Sequence, residues 1–129
     1  MKKNKAYISF PISGYDIDLV SKVANEAKKL LEEKLPGWDI INPLDLCTDI
    51  ESDELKSPRA KYAEEMGRDI ATLLQCDAFV FIDGIGQPST GCRMEQSIVT
   101  EWNSFHPEAH IEEYLLLKGN LFVKSHMQF

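Results

Sequence analysis

A few acidic residues and one short loop are the parts of this 129-residue chain that could do chemistry. Glu95 closes the segment Ser89-Thr90-Gly91-Cys92-Arg93-Met94-Glu95, near the end of what reads as a helix's first turn. Its direction lies close to that of Met94, Ile98 and Trp102, so it faces inward. There a carboxylate can serve as nucleophile or base, with Ser89 and the helix amides as donors. The same place also suits a glutamate that only complements the helix dipole. Asp69 falls at the edge of another apolar stripe, between Met66 and Leu73. A carboxylate there is costly unless it is paired, hydrogen-bonded or facing a cavity. The plain alternative is that it points sideways to solvent or to a basic neighbour.

The loop Ser9-Phe10-Pro11-Ile12-Ser13-Gly14 joins a strand to a helix with small hydroxyls and a glycine. Backbone amides at a helix N-terminus can hold an anion. An ordinary turn reads the same way, and the loop is neither GxGxxG nor a phosphate loop with its lysine. Asp77 and Asp83 bracket an apolar run. Asp77 reads as structural, while Asp83 can reach a ligand hydroxyl or serve a turn. The histidines (His106, His110, His126) come late and fit no metal spacing with cysteine. His106 and His110, with Pro107 between them, read as a surface loop. Cys47, Cys76 and Cys92 read as small buried hydrophobes, with Cys92 more reactive for its place near a helix start.

The elements that must position these groups follow from periodicity. Residues 5–10 (KAYISF) read as a buried strand closed by Pro11 and Gly14. Asp16 or Asp18 then caps a helix to about Lys34, with an inward stripe of Val20, Val23, Ala24, Ala27, Leu30, Leu31 and Leu35. Pro36-Gly37 stops it, and residues 38–42 (WDIIN) form a second strand. Residues 44–57 are a polar, acidic connection. Ser57-Pro58 starts a helix to about Gln75, with Tyr62, Met66, Ile70, Leu73 and Leu74 inward. Residues 78–82 (AFVFI) are a strand of the kind buried on both faces of a parallel sheet. After a Gly/Pro/Ser loop, residues 91–105 form a helix with Met94, Ile98, Trp102 and Phe105 inward. Residues 111–117 fit a helix or a strand, and residues 121–124 a last strand.

This alternation predicts an α/β fold, a three-layer sandwich with a mainly parallel, Rossmann/flavodoxin-like sheet, in one domain over residues 1–129. In such sheets ligands sit beyond the carboxyl ends of the strands, near the point where strand order reverses. That singles out residues 11–15, 43–46 and 83–95.

Composition narrows the classes. There are 14 Lys and Arg against 21 Asp and Glu, a net charge of −7, which argues against binding nucleic-acid polymers. A small anion held by backbone amides stays possible. The apolar share of 43% and charged share of 27% are those of a globular protein. No apolar run nears the ~20 residues of a membrane span, MKKNKAYISF has no signal-peptide core, and the odd cysteines do not form a disulfide framework. No membrane partner and a cytoplasmic location are therefore expected.

Three motifs in order, YISFPISG at 7–14, RDI…L..CDAFVFI at 68–82 and S-x-G-x-x-x-E at 89–95, resemble the nucleoside 2-deoxyribosyltransferase superfamily. Within it the chain is similar to small phage and bacterial members and, more distantly, to the deoxynucleoside 5-monophosphate N-glycosidases. The resemblance covers residues 5 to about 105. It implies that Glu95 attacks the anomeric carbon of a deoxyribosyl group, that the base leaves, and that the glycosyl-enzyme passes to another base or to water. It implies Asp69 as the carboxylate near the departing base and Tyr7 as a residue that positions the nucleophile. The phosphate-holding positions of the monophosphate N-glycosidases fall on Ser9, Ser13, Gly14 and Ser89, and Pro11, Asp83 and Gly91 beside them are further ligand-binding candidates. A nucleoside or its monophosphate as partner, a homo-oligomer, and no metal or redox cofactor are further implications.

The pattern departs from the family in three places. Phe10 stands where many members carry a small residue. The first loop lacks the arginine of phosphate-binding members. The ending KGNLFVKSHMQF aligns with no subunit-sharing segment. The chemistry itself is coherent, since an oxocarbenium-like state can be stabilised and captured by an adjacent carboxylate, as in retaining glycosidases. A second carboxylate can hydrogen-bond or protonate the base. Two rival readings are a nucleotide-binding module of the same fold without turnover and an NAD glycohydrolase. A response-regulator-like scaffold would need acidic residues where the chain has Ser9-Phe10-Pro11.

Overall fold

The computed structural model describes residues 4–11, 15–46, 54–83 and 89–123. In chain order these form β1 (Lys5–Ser9), α1 (Ile17–Lys34), β2 (Asp39–Ile41), a 3-10 turn (Pro43–Leu46), α2 (Pro58–Leu73), β3 (Ala78–Ile82), α3 (Thr90–Phe105), a second 3-10 turn (Pro107–Ala109), β4 (Glu112–Leu117) and β5 (Asn120–Val123). The five strands form one sheet in the order β2-β1-β3-β4-β5. All neighbours are parallel except β4 and β5, which are antiparallel. The result is an α/β fold: a mixed, mostly parallel sheet with three α-helices among the described residues.

Local chemistry sets the helix starts. The Asp16 carboxylate accepts from the Asp18 N–H at 3.0 Å and begins α1. Ser57 accepts from the Ala60 N–H at 3.2 Å, with Pro58 next in line, where a missing N–H costs nothing. Ser89 does the same for α3, accepting from the Cys92 N–H at 3.2 Å. Leu35 caps the C-terminus of α1, and Gly37 takes the left-handed φ of +85° that turns the chain toward β2.

The strand pleat then sorts the core. Ala6, Ile8 and Phe10 join Val20, Ala24 and Leu31 of α1, with Ala78, Val80 and Ile82 of β3 beside them. Tyr7 and Phe79, one residue out of phase, join Leu73 of α2 and Val99 of α3. Phe10 is therefore on the α1 side, away from Tyr7, and its bulk goes into the core rather than into the neighbourhood of Glu95.

Two helix stripes differ from expectation. On α3 the buried residues are Cys92, Glu95 and Val99, while Met94 and Phe105 are exposed. On α2 only Leu73 is fully buried, and Tyr62 and Leu74 are exposed. The physical reason is common to both. The inward faces carry polar residues that an apolar count passes over: on α3 the buried face is rotated by about one position, while on α2 Met66 and Ile70 are half-buried beside Leu73 as expected, with Arg68 and Asp69 half-buried among them. The tail resolves to strands. Lys118 (φ 50°) and Gly119 (φ 78°) make a two-residue turn with both φ positive, which matches strand twist and closes the β4–β5 hairpin.

Candidate active site

The chain reverses direction of sheet growth between β1 and β3. β2 lies on one side of β1 and β3 on the other, so the carboxyl ends of β1 and β3 flank the switch. Tyr7 and Ser9, two residues apart on β1, point to the face that α3 covers. Glu95, on the second turn of α3, meets both of them. The Tyr7 hydroxyl donates to Glu95 Oε2 at 2.5 Å, and the Ser9 hydroxyl donates to Oε1 at 2.8 Å. Each carboxylate oxygen thus has its own donor. Glu95 is 6% exposed, and Tyr7 and Ser9 are fully buried.

Burial pushes the Glu95 carboxyl up to about 7. The two hydroxyl donors pull it back, and the nearby Asp69 charge adds to the rise. The Tyr7 phenol is driven far above its usual range by burial first, then by the charges of Glu95 and Asp69. It stays protonated and acts only as a donor toward Glu95. Its ring is fixed by stacking on Phe79, centroids 6.5 Å apart.

Asp69 is half-buried on α2. Burial raises its carboxyl, and the hydrogen bond and charge of Arg68 hold it back. Arg68 Nε and Nη2 both donate to Asp69 Oδ1, at 3.1 and 3.0 Å, while Nη1 donates to the Leu46 carbonyl at 2.8 Å. Arg68 has no role that its sequence context alone reveals. Its only signal was the Arg-Asp adjacency in the second motif, and adjacent residues on a helix do not ordinarily face each other.

The remaining expected residues are placed as follows. Ser89 caps α3. Gly91 sits where a Cβ would lie 3.5 Å from Met66 Sδ, in the contact between α3 and α2. Pro11 is buried just after β1. Asp83 is exposed at the carboxyl end of β3, with its N–H donating to the Leu116 carbonyl at 3.0 Å. Its carboxyl makes no hydrogen bond among the described residues. Ser13 and Gly14 lie outside the described residues, as do Cys47 and His126. Asp77 is at the opposite end of the sheet, accepting from the Lys5 N–H at 2.9 Å. Cys92 is buried, which removes the access that a reactive thiol needs. His106 stacks on Trp102, centroids 3.8 Å apart, and His110 contacts Glu112 at 2.7 Å.

Among the described residues no group of three His, Cys, Asp or Glu could hold a metal ion, and no helix is long and apolar enough to cross a membrane. In comparison with known proteins, no family model and no curated protein matches the chain. The arrangement itself supplies a buried carboxylate of raised pKa, two hydroxyls that orient it, and a second carboxylate with its own cation. Such a group can act as a nucleophile or a base near neutral pH.

Proposed function

We propose that this chain is a nucleoside 2-deoxyribosyltransferase-like enzyme that cleaves or exchanges the N-glycosidic bond of a nucleoside or its monophosphate. The observation that carries the reading is the clamping of Glu95 by Tyr7 and Ser9 beside Asp69. Glu95 would attack the anomeric carbon as the carbon–nitrogen bond breaks, and the bond's electron pair would leave with the base. Water or a second base would then attack the same carbon and release Glu95. Asp69, on the facing helix, would hydrogen-bond or protonate the base. In this reading the sheet is the middle of a three-layer, Rossmann/flavodoxin-like sandwich. The working protein is a cytoplasmic homo-oligomer that needs no metal or redox cofactor.

The clamp supports a nucleophile better than a helix-start glutamate. A residue that only serves the macrodipole gains nothing from burial beneath two hydroxyl donors. The test is incubation with a panel of nucleosides, their 5-monophosphates and NAD, with free base read by chromatography. Base released from a nucleoside or monophosphate, and lost in Glu95→Gln, is the expected result. No release from any of them, with a melting temperature that ligand still raises, would make the protein a binding module. Release from NAD alone would make it a glycohydrolase.

A further inference from the structure

We propose that Arg68 is a positioning residue that keeps Asp69 ionised with one oxygen open, so that Asp69 meets a ligand as a hydrogen-bond acceptor and not as an acid. The inference deepens the reading of Glu95 and Asp69 as one site and rests on it.

The geometry is specific to one oxygen. Two guanidinium nitrogens converge on Asp69 Oδ1, and no group among the described residues reaches Oδ2. A guanidinium shared evenly across both oxygens would close the carboxylate, whereas this one leaves half of it free. The third donor nitrogen goes to the Leu46 carbonyl, at the end of the turn that follows β2. Arg68 therefore ties the connection after β2 to the carboxylate on α2. The side chain is pinned at three points, with its own exposure down to 24%.

Charge makes the consequence. Among the described residues, the charged or titratable groups coupled to Asp69 are Tyr7 on β1, Glu95 on α3 and Arg68 beside it on α2, and Glu65 lies one turn earlier on α2. Glu65 Oε1 is itself buried without a partner among the described residues. Arg68 is the only cation in this set. With it, the Asp69 carboxylate has a cationic partner that opposes the effect of its burial, whereas Glu95 has only neutral hydroxyl donors. Without it, two carboxyls in a poorly solvated site would share their protons, and neither would have a fixed role. An ionised Asp69 can only accept, which suits an N–H on the edge of a base. The departing base would then take its proton from water.

Carboxyl-carbon NMR titration of the substrate-free protein tests this, in wild type, Arg68→Gln and Arg68→Lys. In wild type Asp69 is expected to ionise below Glu95. In Arg68→Gln the Asp69 midpoint should rise by about 1–3 pH units, and Arg68→Lys should restore part of the difference. A merely structural arginine would lower the melting temperature without moving the midpoint. Asp69 ionising above Glu95 in wild type, or a midpoint unmoved in folded Arg68→Gln, would overturn the proposal. The wild-type titration stands alone if the variants fail to fold. Because no substrate enters, failure here is distinct from failure of the glycosidic reading, which is decided by base release and Glu95→Gln.

Discussion

The Tyr7 hydroxyl donates a 2.5 Å hydrogen bond to Glu95 Oε2 across 88 residues of sequence, joining the first strand to the third helix. The bond favours the charged carboxylate, opposing the burial that raises its pKa. A hydrogen bond to a charged group is worth about 1.5–3 kcal/mol, or about 1–2 pKa units. Tyr7→Phe should therefore move the ionisation of Glu95 upward by that amount. The acidic limb of a pH–rate profile, or carboxyl NMR, reads the shift. An unmoved limb would mean that the Tyr7 hydroxyl does not stabilise the anion.

Glu95→Gln keeps the size of the side chain but removes the attacking oxygen. Turnover should fall by at least ~10³-fold, about 4 kcal/mol of transition-state stabilisation. Ligand affinity should change far less. Steady-state kinetics with calorimetric binding separates the two, and a variant that keeps its turnover would remove Glu95 from the reaction.

The same carboxyl makes stability depend on pH. Its folded pKa, about 7, lies above the usual 4.5, so the folded state binds the proton more tightly than the unfolded chain does. Glu95 therefore costs nothing below about pH 4.5, and its cost grows to about 3 kcal/mol as pH rises through 7. Melting curves of wild type and Glu95→Gln should diverge over that window, with the variant gaining as pH rises. Parallel curves from pH 4 to 8 would contradict the raised pKa.

Ser9 is expected to serve Glu95 rather than a phosphate. Its hydroxyl is buried and already donates to Oε1. Ser9→Ala should raise the ionisation of Glu95 but leave the affinity difference between a nucleoside and its monophosphate unchanged. Isothermal calorimetry with both ligands tests it, and a selective loss of monophosphate affinity would return Ser9 to the ligand.

Asp77 supplies the control at the far end of the sheet. Among the described residues its carboxylate accepts only the Lys5 N–H at the start of β1. Asp77→Ala should cost about 1 kcal/mol, a few degrees in melting temperature, with turnover intact. A loss of turnover in the folded variant would mean that the two ends of the sheet are coupled.

The sequence by itself determined the order of elements through β3 and α3. The 3.6-residue stripe of α1, the Ser57-Pro58 helix start and the apolar run 78–82 are local patterns that carry their own physical reasons. It also picked out Glu95 as inward-facing, because a helix fixes the relative direction of nearby side chains whatever the helix packs against. Only the tertiary structure decided what Glu95 meets. Tyr7 and Ser9 are 88 and 86 residues away, and period-2 alternation says that they share a face without saying which helix covers it. The rotation of the α3 stripe belongs to the same class. Burying Glu95 and half-burying Asp69 are stable only once hydroxyls and a guanidinium are in place, and those partners arrive through the fold. Arg68 was silent in sequence for that reason: its grip on Asp69 and Leu46 depends on where the turn after β2 is set against α2. The tail was likewise open until the Lys118-Gly119 turn and the edge of β4 showed a strand to be paired.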